Sequence, residues 1–370
     1  MKILIITLEY PPQIGGIASY VYNYCAHSPA NDIIVYAPKT AGGENFDKKN
    51  SWPVYRRKPY WFLWPHWLRL IWQIKKIIRT EKISAIHVHH ALPLGYVARY
   101  FWSRKKIPYT IFFHGADLEL GARFKRRQLE SVCRAASAVI VNSEFTRNKF
   151  AGAFEAIPLE KIKIIYPCPA DIFFAKEPPE KLTALKSQLA LSGKKVILTV
   201  SRIGEGKGYP HLARLLPQIL EKIPNAVWLI VGDGPKRAAL MEQIQKNSLQ
   251  NTVRYVGQIS YEELPKYYQT ADLFVLLTHP DDSRGEEGWG TVFLEAAASG
   301  LPVVAGRSGA VEEVVKHLET GLVVDVYQDM SVVAAVVDLL REAEYGKKMG
   351  AAGRARAEAE FKWEKQLCKV

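Results

Sequence analysis

The chain is poor in cysteine and has no long apolar run, and each shortage removes a class of protein. Its four cysteines, Cys25, Cys133, Cys168 and Cys368, are scattered through 370 residues without metal-ligand spacing. Neither a disulfide scaffold nor a zinc module is expected, and a reducing compartment is the simpler reading. The opening apolar stretch, Lys2 to Leu8, stops at Glu9 and at Pro11-Pro12. It lacks the length and cleavage site of a secretory signal. No apolar run reaches the roughly 20 residues that span a bilayer. The protein is therefore expected to be made and to stay on the cytoplasmic side. Low-complexity tracts and short repeats are also missing. Hydrophobic residues make up 48% of the chain, which excludes general disorder and leaves each half enough for a core. The length favours two domains.

Acidic residues are also in short supply. Lys plus Arg is 50 against 37 for Asp plus Glu, a net charge of +13. Such an excess favours anionic partners: nucleic acid, phosphorylated small molecules or an acidic membrane surface. Charge alone does not choose among them.

What the chain does have is alternation. In the first half, strand candidates are Lys2–Leu8, Asp32–Pro38, Ala85–His90, Tyr109–His114, Ala138–Asn142 and Ile162–Tyr166. In the second they are Lys195–Ser201, Val227–Val231, Val253–Gly257, Leu273–Thr278, Pro302–Gly306 and Gly321–Val326. Helical patterns separate most of them. The strands are continuously apolar, as parallel strands covered on both faces require. The fold class expected is α/β, with two Rossmann-like doubly wound domains facing across a cleft. Prolines 167, 169, 178 and 179 suppress regular structure between Tyr166 and Glu180. The domains are accordingly placed at 1–170 and 171–360. In open α/β sheets, ligands bind beyond the carboxyl ends of the strands, so the loops there carry the search.

After the first strand comes E-Y-P-P-Q-I-G-G-I-A-S-Y, with Gly15 and Gly16 before a helix near Ile17. Main-chain N–H groups at such a helix start suit an anion, and an ordinary glycine turn fits equally. After Lys195–Ser201 comes S-R-I-G-E-G-K-G-Y. Gly208 stands where a nucleotide triphosphatase needs Ser or Thr, and the G-x-G-x-x-G spacing is absent. Arg202 at a strand end and Lys207 at a helix start, with a helix dipole behind, suit a diphosphate. Solvated surface charge is the bland alternative.

The stretch E-E-G-W-G-T-V-F-L-E-A-A-A-S-G-L-P-V-V runs from Glu286 to Val304. Glu287 and Glu295 stand two helical turns apart, and Gly288-x-Gly290 opens a helix expected over Thr291 to Ser299. Amides of Gly288, Trp289, Gly290, Thr291 and Val292 would point at a ligand, with Glu295 about two turns in on the face of Glu287. Carboxylates accept paired hydrogen bonds from vicinal hydroxyls, which sugars and riboses offer. Two capping or salt-bridging glutamates fit the same spacing.

This segment resembles the E-x7-E signature of the large retaining glycosyltransferase family with the GT-B fold, glycosyltransferase family 4. S-R-I-G-E-G-K-G-Y is similar to the family's S-R-x3-x-K-G loop. V-G-D-G-P at Val231 to Pro235, V-R-Y-V-G-Q-I at Val253 to Ile259, F-F-H-G-A-D at Phe112 to Asp117 and E-Y-P-P-x-x-G-G at Glu9 to Gly16 match further family motifs. E-G-W-G-T-V-F-L-E-A and G-R-S-G-A-V-E-E look most like GDP-mannose-dependent mannosyltransferases, including those acting on phosphatidylinositol. The resemblance implies that Arg202 and Lys207 bind the donor diphosphate, and that Glu287 with amides near Gly288 to Gly290 holds the transferred sugar. It implies that Glu295 holds the ribose diol, and that the turn at Gly232 and the backbone at Val256 and Gly257 serve the nucleotide. His114 would lie near the reacting carbon, and Gly16 would leave room for a phosphate. Residues 361–370 would pack back on the first domain. No cofactor and no metal are implied, because the Arg and Lys do that work, and the mechanism implied is front-face substitution. Two departures stand out: Cys168-Pro169-Ala170-Asp171 replaces the usual N-G-V-D turn, and Trp289 replaces the usual Phe or Leu, which would alter the sugar or acceptor pocket.

His87, His89 and His90 cluster at a strand end, without a carboxylate cluster that would argue for a metal. Asp281-Asp282 reads as a solvated loop. Five of nine tryptophans fall at 52, 61, 64, 67 and 72. From Trp67 on, Leu70, Ile71, Ile74, Ile77 and Ile78 keep helical spacing, with Arg69, Gln73, Lys76 and Arg79 facing elsewhere. Before them, Arg56, Arg57 and Lys58 precede Tyr60, Trp61, Phe62 and Trp64. Read as a loop, this suits an anionic membrane surface at headgroup level; a loop packed on itself has the same composition.

The expected function is transfer of a hexose, mannose from GDP-mannose foremost, to a glycan or lipid-linked acceptor hydroxyl, peripheral on the inner membrane face. A UDP-sugar donor, an epimerase and a phosphorylase on the same fold are the rival enzymes. Nucleic acid is not an expected partner, since no nucleic-acid module is present and basic residues alternate with acids.

Overall fold

Runs such as Ile3–Ile6 and Val303-Val304 are apolar at every position, and both of their faces are buried. That is the condition of parallel strands with helices on each side. The computed structural model describes residues 2–60, 65, 67–280 and 286–369. Its contacts divide the chain into two units, Met1–Pro167 with Trp363–Val370, and Cys168–Lys362. The division falls three residues before the expected boundary at 170, and the returning segment starts at 363 rather than 361. Within the first unit, Gln366 accepts a hydrogen bond from the Tyr166 N–H at 3.2 Å. Trp363 stacks on His27 and meets Tyr20 edge-on.

The first unit holds β1 (Ile3–Ile6), β2 (Ile33–Pro38), β3 (Val54–Arg57), β4 (Ala85–His89), β5 (Tyr109–Phe112), β6 (Ala138–Val141) and β7 (Ile162–Ile164). All pair in parallel, in the order β3-β2-β1-β4-β5-β6-β7. The second unit holds β8 (Lys195–Val200), β9 (Ala226–Val231), β10 (Val253–Gly257), β11 (Leu273–Leu276), β12 (Val303–Gly306) and β13 (Leu322–Val324). Their order, β10-β9-β8-β11-β12-β13, is also parallel throughout. Strand order reverses beside β1 in one sheet and beside β8 in the other. These are the switch points where loops leave in opposite directions and a ligand crevice opens. Leu4, Ile86, Ile111, Leu94 and Phe101 belong to one core, and Ile197, Trp228, Val275, Leu216 and Val336 to the other. Among the described residues, no helix is long and apolar enough to cross a membrane.

Two glycines hold the second crevice in shape. Gly208, at φ +70°, lies so close to Leu277 that a Cβ would sit 2.0 Å from its carbonyl oxygen. Gly232, at φ +129°, would put a Cβ 2.0 Å from the Ser201 oxygen. Any other residue would push the loops after β8, β9 and β11 apart.

The segment 54–57 corrects the sequence reading. It is the edge strand β3, not a loop, so the first half has seven strands where six were expected. Alternation along β3 turns Arg56 inward, where it is 6% exposed, and Arg57 outward. The Arg56 guanidinium donates to both oxygens of Asp47, at 2.7 and 2.9 Å, and to the Thr40 hydroxyl at 2.9 Å. It also donates to the Pro11 carbonyl. Arg56 is therefore a buried tie between β3 and the helix Gly43–Asp47, and no membrane contact can be made by it. Gln73 is likewise inside, accepting from the Tyr36 hydroxyl at 2.5 Å and donating to the Lys58 carbonyl at 3.3 Å. Trp61, Trp64 and Asp281-Asp282 lie outside the described residues.

Removing one partner of a buried pair strands the other charge. Arg56→Ser is expected to lower the unfolding free energy by about 3 kcal/mol, and Arg57→Ser with Lys58→Ser by less than about 0.5 kcal/mol. Urea denaturation of the two variants measures the difference. Equal effects would return Arg56 to the surface.

Candidate functional site

In the second unit the site starts at the carboxyl end of β8. Arg202 lies one residue past the strand, after Ser201, and is exposed, and among the described residues no ion pair engages its guanidinium. Five residues on, Lys207 stands before the helix Tyr209–Lys222 and donates from Nζ to Glu287 Oε2 at 2.5 Å. An exposed cation at a strand end, with a second cation at a helix N-terminus, suits an anion.

Glu287 lies in the turn before the helix Thr291–Ala298, so Glu287 and Glu295 do not share a helix face, contrary to the expectation. Glu295 is one turn into that helix. The reason is Gly290, which caps the helix at φ +82° and redirects the chain. The Glu287 peptide is pinned by the turn after β12. Its N–H donates to Ser308 Oγ at 3.2 Å, and its carbonyl accepts from the Ala310 N–H at 2.9 Å. Burial on its own would raise the Glu287 carboxyl, but the Lys207 ammonium and the Trp289 N–H hold it below the usual carboxylate range. Gly288 lies between them, half-buried. The Trp289 indole is turned into the unit's interior. It is 3% exposed and meets the Phe361 ring at 5.6 Å, while its backbone N–H donates to Glu287.

Glu295 is treated in the opposite way. Among the described residues no cation pairs with it; instead Oε2 accepts from the Tyr268 hydroxyl at 2.8 Å and Oε1 from Tyr261 at 3.4 Å. Burial pushes its carboxyl up to about 7 against these two hydrogen bonds. Phe173, from the segment that opens the unit, packs edge-on against both tyrosine rings. Beside β9, the Gly232 N–H donates to the Gly257 carbonyl at 2.8 Å. The β9–β10 register shifts between Tyr255 and Gly257, which leaves Val256 out of the ladder and half-buried.

In the first unit, Gly16 begins the helix Gly16–Ala26, and a Cβ there would meet nothing within 4 Å. His114 follows β5 and faces His89, with Nε2 3.2 Å from His89 Nδ1. His87 meets the Tyr24 hydroxyl at 2.9 Å, and His90 reaches Glu9 at 3.5 Å. Burial depresses His87 to about 4, and burial with the nearby His90 depresses His114 to about 3. The His87 and His114 rings are therefore neutral near pH 7.

Sequence reasoning missed Tyr261, Tyr268 and the link from His89 to His114. The tyrosines stand 34 and 27 residues from Glu295 with no motif around them. The two histidines were each visible, but their pairing across β4 and β5 was not.

The buried carboxyl sets a pH dependence. A folded-state value near 7, above the ordinary value near 4.5, means stability present at low pH is lost as pH rises from about 4.5 through 7. Glu295→Gln removes that loss. Relative to the parent, the variant is expected to gain about 3 kcal/mol between pH 4.5 and 7.5, read by denaturation at each pH. A constant difference would show that Glu295 ionises normally.

Comparison with known proteins follows the same division. Residues 14–168 match the family model "Glycosyltransferase Family 4", and residues 181–356 match "Glycosyl transferases group 1". The GDP-mannose-dependent alpha-(1-6)-phosphatidylinositol monomannoside mannosyltransferase of Mycolicibacterium smegmatis is 32% identical, over 97% of this chain and 94% of that protein. The GDP-mannose-dependent monoacylated alpha-(1-6)-phosphatidylinositol monomannoside mannosyltransferase of Corynebacterium glutamicum is 31% identical, over 98% and 95%. Among solved structures, Anabaena HepE in complex with UDP-glucose superposes with a TM-score of 0.83 at 21% identity, covering 99% of this chain and 97% of that one. Two parallel Rossmann-like sheets agree with these matches: the chain belongs to glycosyltransferase family 4 and is a hexosyltransferase of the GT-B fold.

Proposed function

We propose that this glycosyltransferase moves mannose from GDP-mannose to a hydroxyl of a lipid-linked acceptor, with retention of configuration and without a metal. The observation that carries the reading is the contrast within the second unit: Arg202 and Lys207 on one loop after β8, with no ion pair on Arg202 among the described residues, and two carboxylates of opposite character. Arg202 and Lys207 take the diphosphate. Its oxygens replace Glu287 as the partner of Lys207, which leaves the Glu287 carboxylate to accept from mannose hydroxyls. Glu295 accepts from the ribose diol, and the main chain at Val256 and Gly257 faces the base. As the bond to the anomeric carbon breaks, negative charge grows on the departing diphosphate, and the two cations and helix N-termini stabilise it. The acceptor hydroxyl arrives on the face the diphosphate leaves. The base and sugar follow the M. smegmatis and C. glutamicum relatives, whose names specify GDP-mannose and a phosphatidylinositol mannoside.

A lipid-linked acceptor fits a peripheral position on the inner face of the membrane. Arg57 and Lys58 are exposed, and Tyr60 is 43% exposed. On the adjoining helix Leu68–Glu81, Leu68, Trp72, Lys75, Lys76 and Arg79 are exposed at three- and four-residue steps, with Trp72 74% exposed. Cations at an anionic surface contribute about 1 kcal/mol each, and an indole sits well among headgroups.

Turnover of GDP-mannose with phosphatidylinositol monomannoside, with the product anomer read by NMR, tests the function. An α-mannoside is expected. Turnover of UDP-glucose instead would move the reading to another donor, and inversion would overturn the mechanism.

Arg202→Ala and Lys207→Ala should each cost about 1.5–3 kcal/mol in kcat/KM, roughly 10- to 150-fold, with little change in Tm for Arg202→Ala and a lower Tm for Lys207→Ala, which leaves Glu287 without its cation. Glu295→Gln should weaken both GDP and GDP-mannose, while Glu287→Gln should weaken GDP-mannose only. Calorimetry separates the two, and an equal effect of both on GDP would refute the division of roles.

Co-sedimentation with anionic phosphatidylglycerol vesicles should fall with salt and fall further in a variant carrying Trp72→Ser, Arg57→Ser and Lys58→Ser. No sedimentation at low salt would count against the membrane position.

A further inference from the structure

The helix Ala343–Glu360 closes the second unit, and its Arg356 reaches the Glu287 turn by two routes. Its side chain is 17% exposed, and all three guanidinium nitrogens donate. Nε donates to Glu360 Oε2 at 3.1 Å, one turn further along. Nη1 donates to the Val314 carbonyl at 2.6 Å and Nη2 to the Glu313 carbonyl at 2.8 Å. Those two carbonyls end the short helix Val311–Val314. The last carbonyls of a helix have no partner inside it, and an arginine there completes them.

The first route runs along that helix to the Glu287 peptide. Ser308, Gly309 and Ala310 lead into it, and they grip the peptide from both sides. Ser308 Oγ accepts from the Glu287 N–H at 3.2 Å, and the Ala310 N–H donates to the Glu287 carbonyl at 2.9 Å. Gly309, at φ +53°, packs so closely that a Cβ would lie 2.1 Å from the same carbonyl oxygen. A helix of one turn passes any shift at its end to this grip. The second route runs through rings to the Glu287 carboxylate. The Arg356 guanidinium lies 4.9 Å from the Phe361 ring centre, a cation–π contact. Phe361 meets Trp289 edge-on, both rings are buried, and the Trp289 N–H donates to the carboxylate.

We propose that Arg356 is a positioning residue for Glu287: by closing the helix Val311–Val314 and seating Phe361 against Trp289, it fixes the peptide and the carboxylate of Glu287 in the orientation that meets the transferred sugar. Arg356 touches no reacting atom, and the inference rests on the reading of Glu287 as the group that holds the sugar. Arg354, on the same helix, donates instead to the Ala298 and Phe174 carbonyls, beside the helix that carries Glu295. Loosening of the whole helix would therefore reach the ribose contact as well, whereas loss of Arg356 alone is felt by the sugar.

Calorimetry with GDP and with GDP-mannose tests this in a cycle of Arg356→Met and Glu287→Ala. Arg356→Met keeps the length of the side chain and removes its donors. It should weaken GDP-mannose by about three- to thirtyfold and leave GDP within about twofold. In the Glu287→Ala background, where no carboxylate remains to be positioned, it should change GDP-mannose affinity by less than about twofold. Arg356→Lys keeps a cation and one donor for the helix end, and should show the same selective loss at smaller size; it carries the cycle if Arg356→Met does not fold. Equal weakening of GDP and GDP-mannose would make Arg356 a general structural tie and overturn the proposal. The same loss with and without the Glu287 side chain would overturn it too, with the reading of Glu287 intact. Glu287→Ala that binds GDP-mannose as the parent does would overturn that reading, and the proposal with it.

Discussion

A carboxylate taken out of water must be paired or lose its charge, and this constraint organises the second unit. Its two site glutamates meet the constraint differently. Glu287 keeps its charge because Lys207 lies 2.5 Å away. Glu295 has no cation among the described residues and rises to about 7, with two tyrosine hydroxyls in its place. Each arrangement leaves something for a ligand to complete. A diphosphate can take over Lys207, and a diol can donate to Glu295 and favour its ionised form. The loops must stand close for either to happen, which is why glycine occupies Gly208 and Gly232, where a Cβ would strike a neighbouring carbonyl oxygen.

Parallel pairing does the gathering. Every strand of a parallel sheet ends on the same edge, so the loops after β8, β9, β11 and β12 collect there without further design. Arg202 and Lys207 come from the first of these loops and Gly232 from the second, while the turn after β12 pins Glu287 through Ser308 and Ala310. The first unit repeats the plan with other side chains: Gly16 follows β1, His90 follows β4 and His114 follows β5.

How much of this could be read beforehand depends on how far away the deciding partner lies. Continuously apolar strands and glycine-bounded loops are local features, and the two sheets with their site loops were legible from them. Arg56 was not. A run of Arg56, Arg57 and Lys58 reads as surface, and the partners that draw Arg56 inward, Asp47, Thr40 and Pro11, stand 9, 16 and 45 residues away. The same holds for Glu295, whose tyrosines carry no motif, and for Gln73, which looked polar and outward until Tyr36 met it. The even spacing of Glu287 and Glu295 misled for a different reason. Gly290 caps the helix after Glu287, which leaves only Glu295 inside it, so a spacing of two turns did not mean a shared face.

The central claim is that one nucleotide-sugar lies across Arg202, Lys207, Glu287 and Glu295. The most direct measurement is a crystal structure of the protein with GDP-mannose bound. The account predicts diphosphate oxygens within hydrogen-bond distance of Arg202 and Lys207, mannose hydroxyls on Glu287 and the ribose diol on Glu295. A bound nucleotide whose ribose lies away from Glu295, or whose diphosphate touches neither cation, would contradict it.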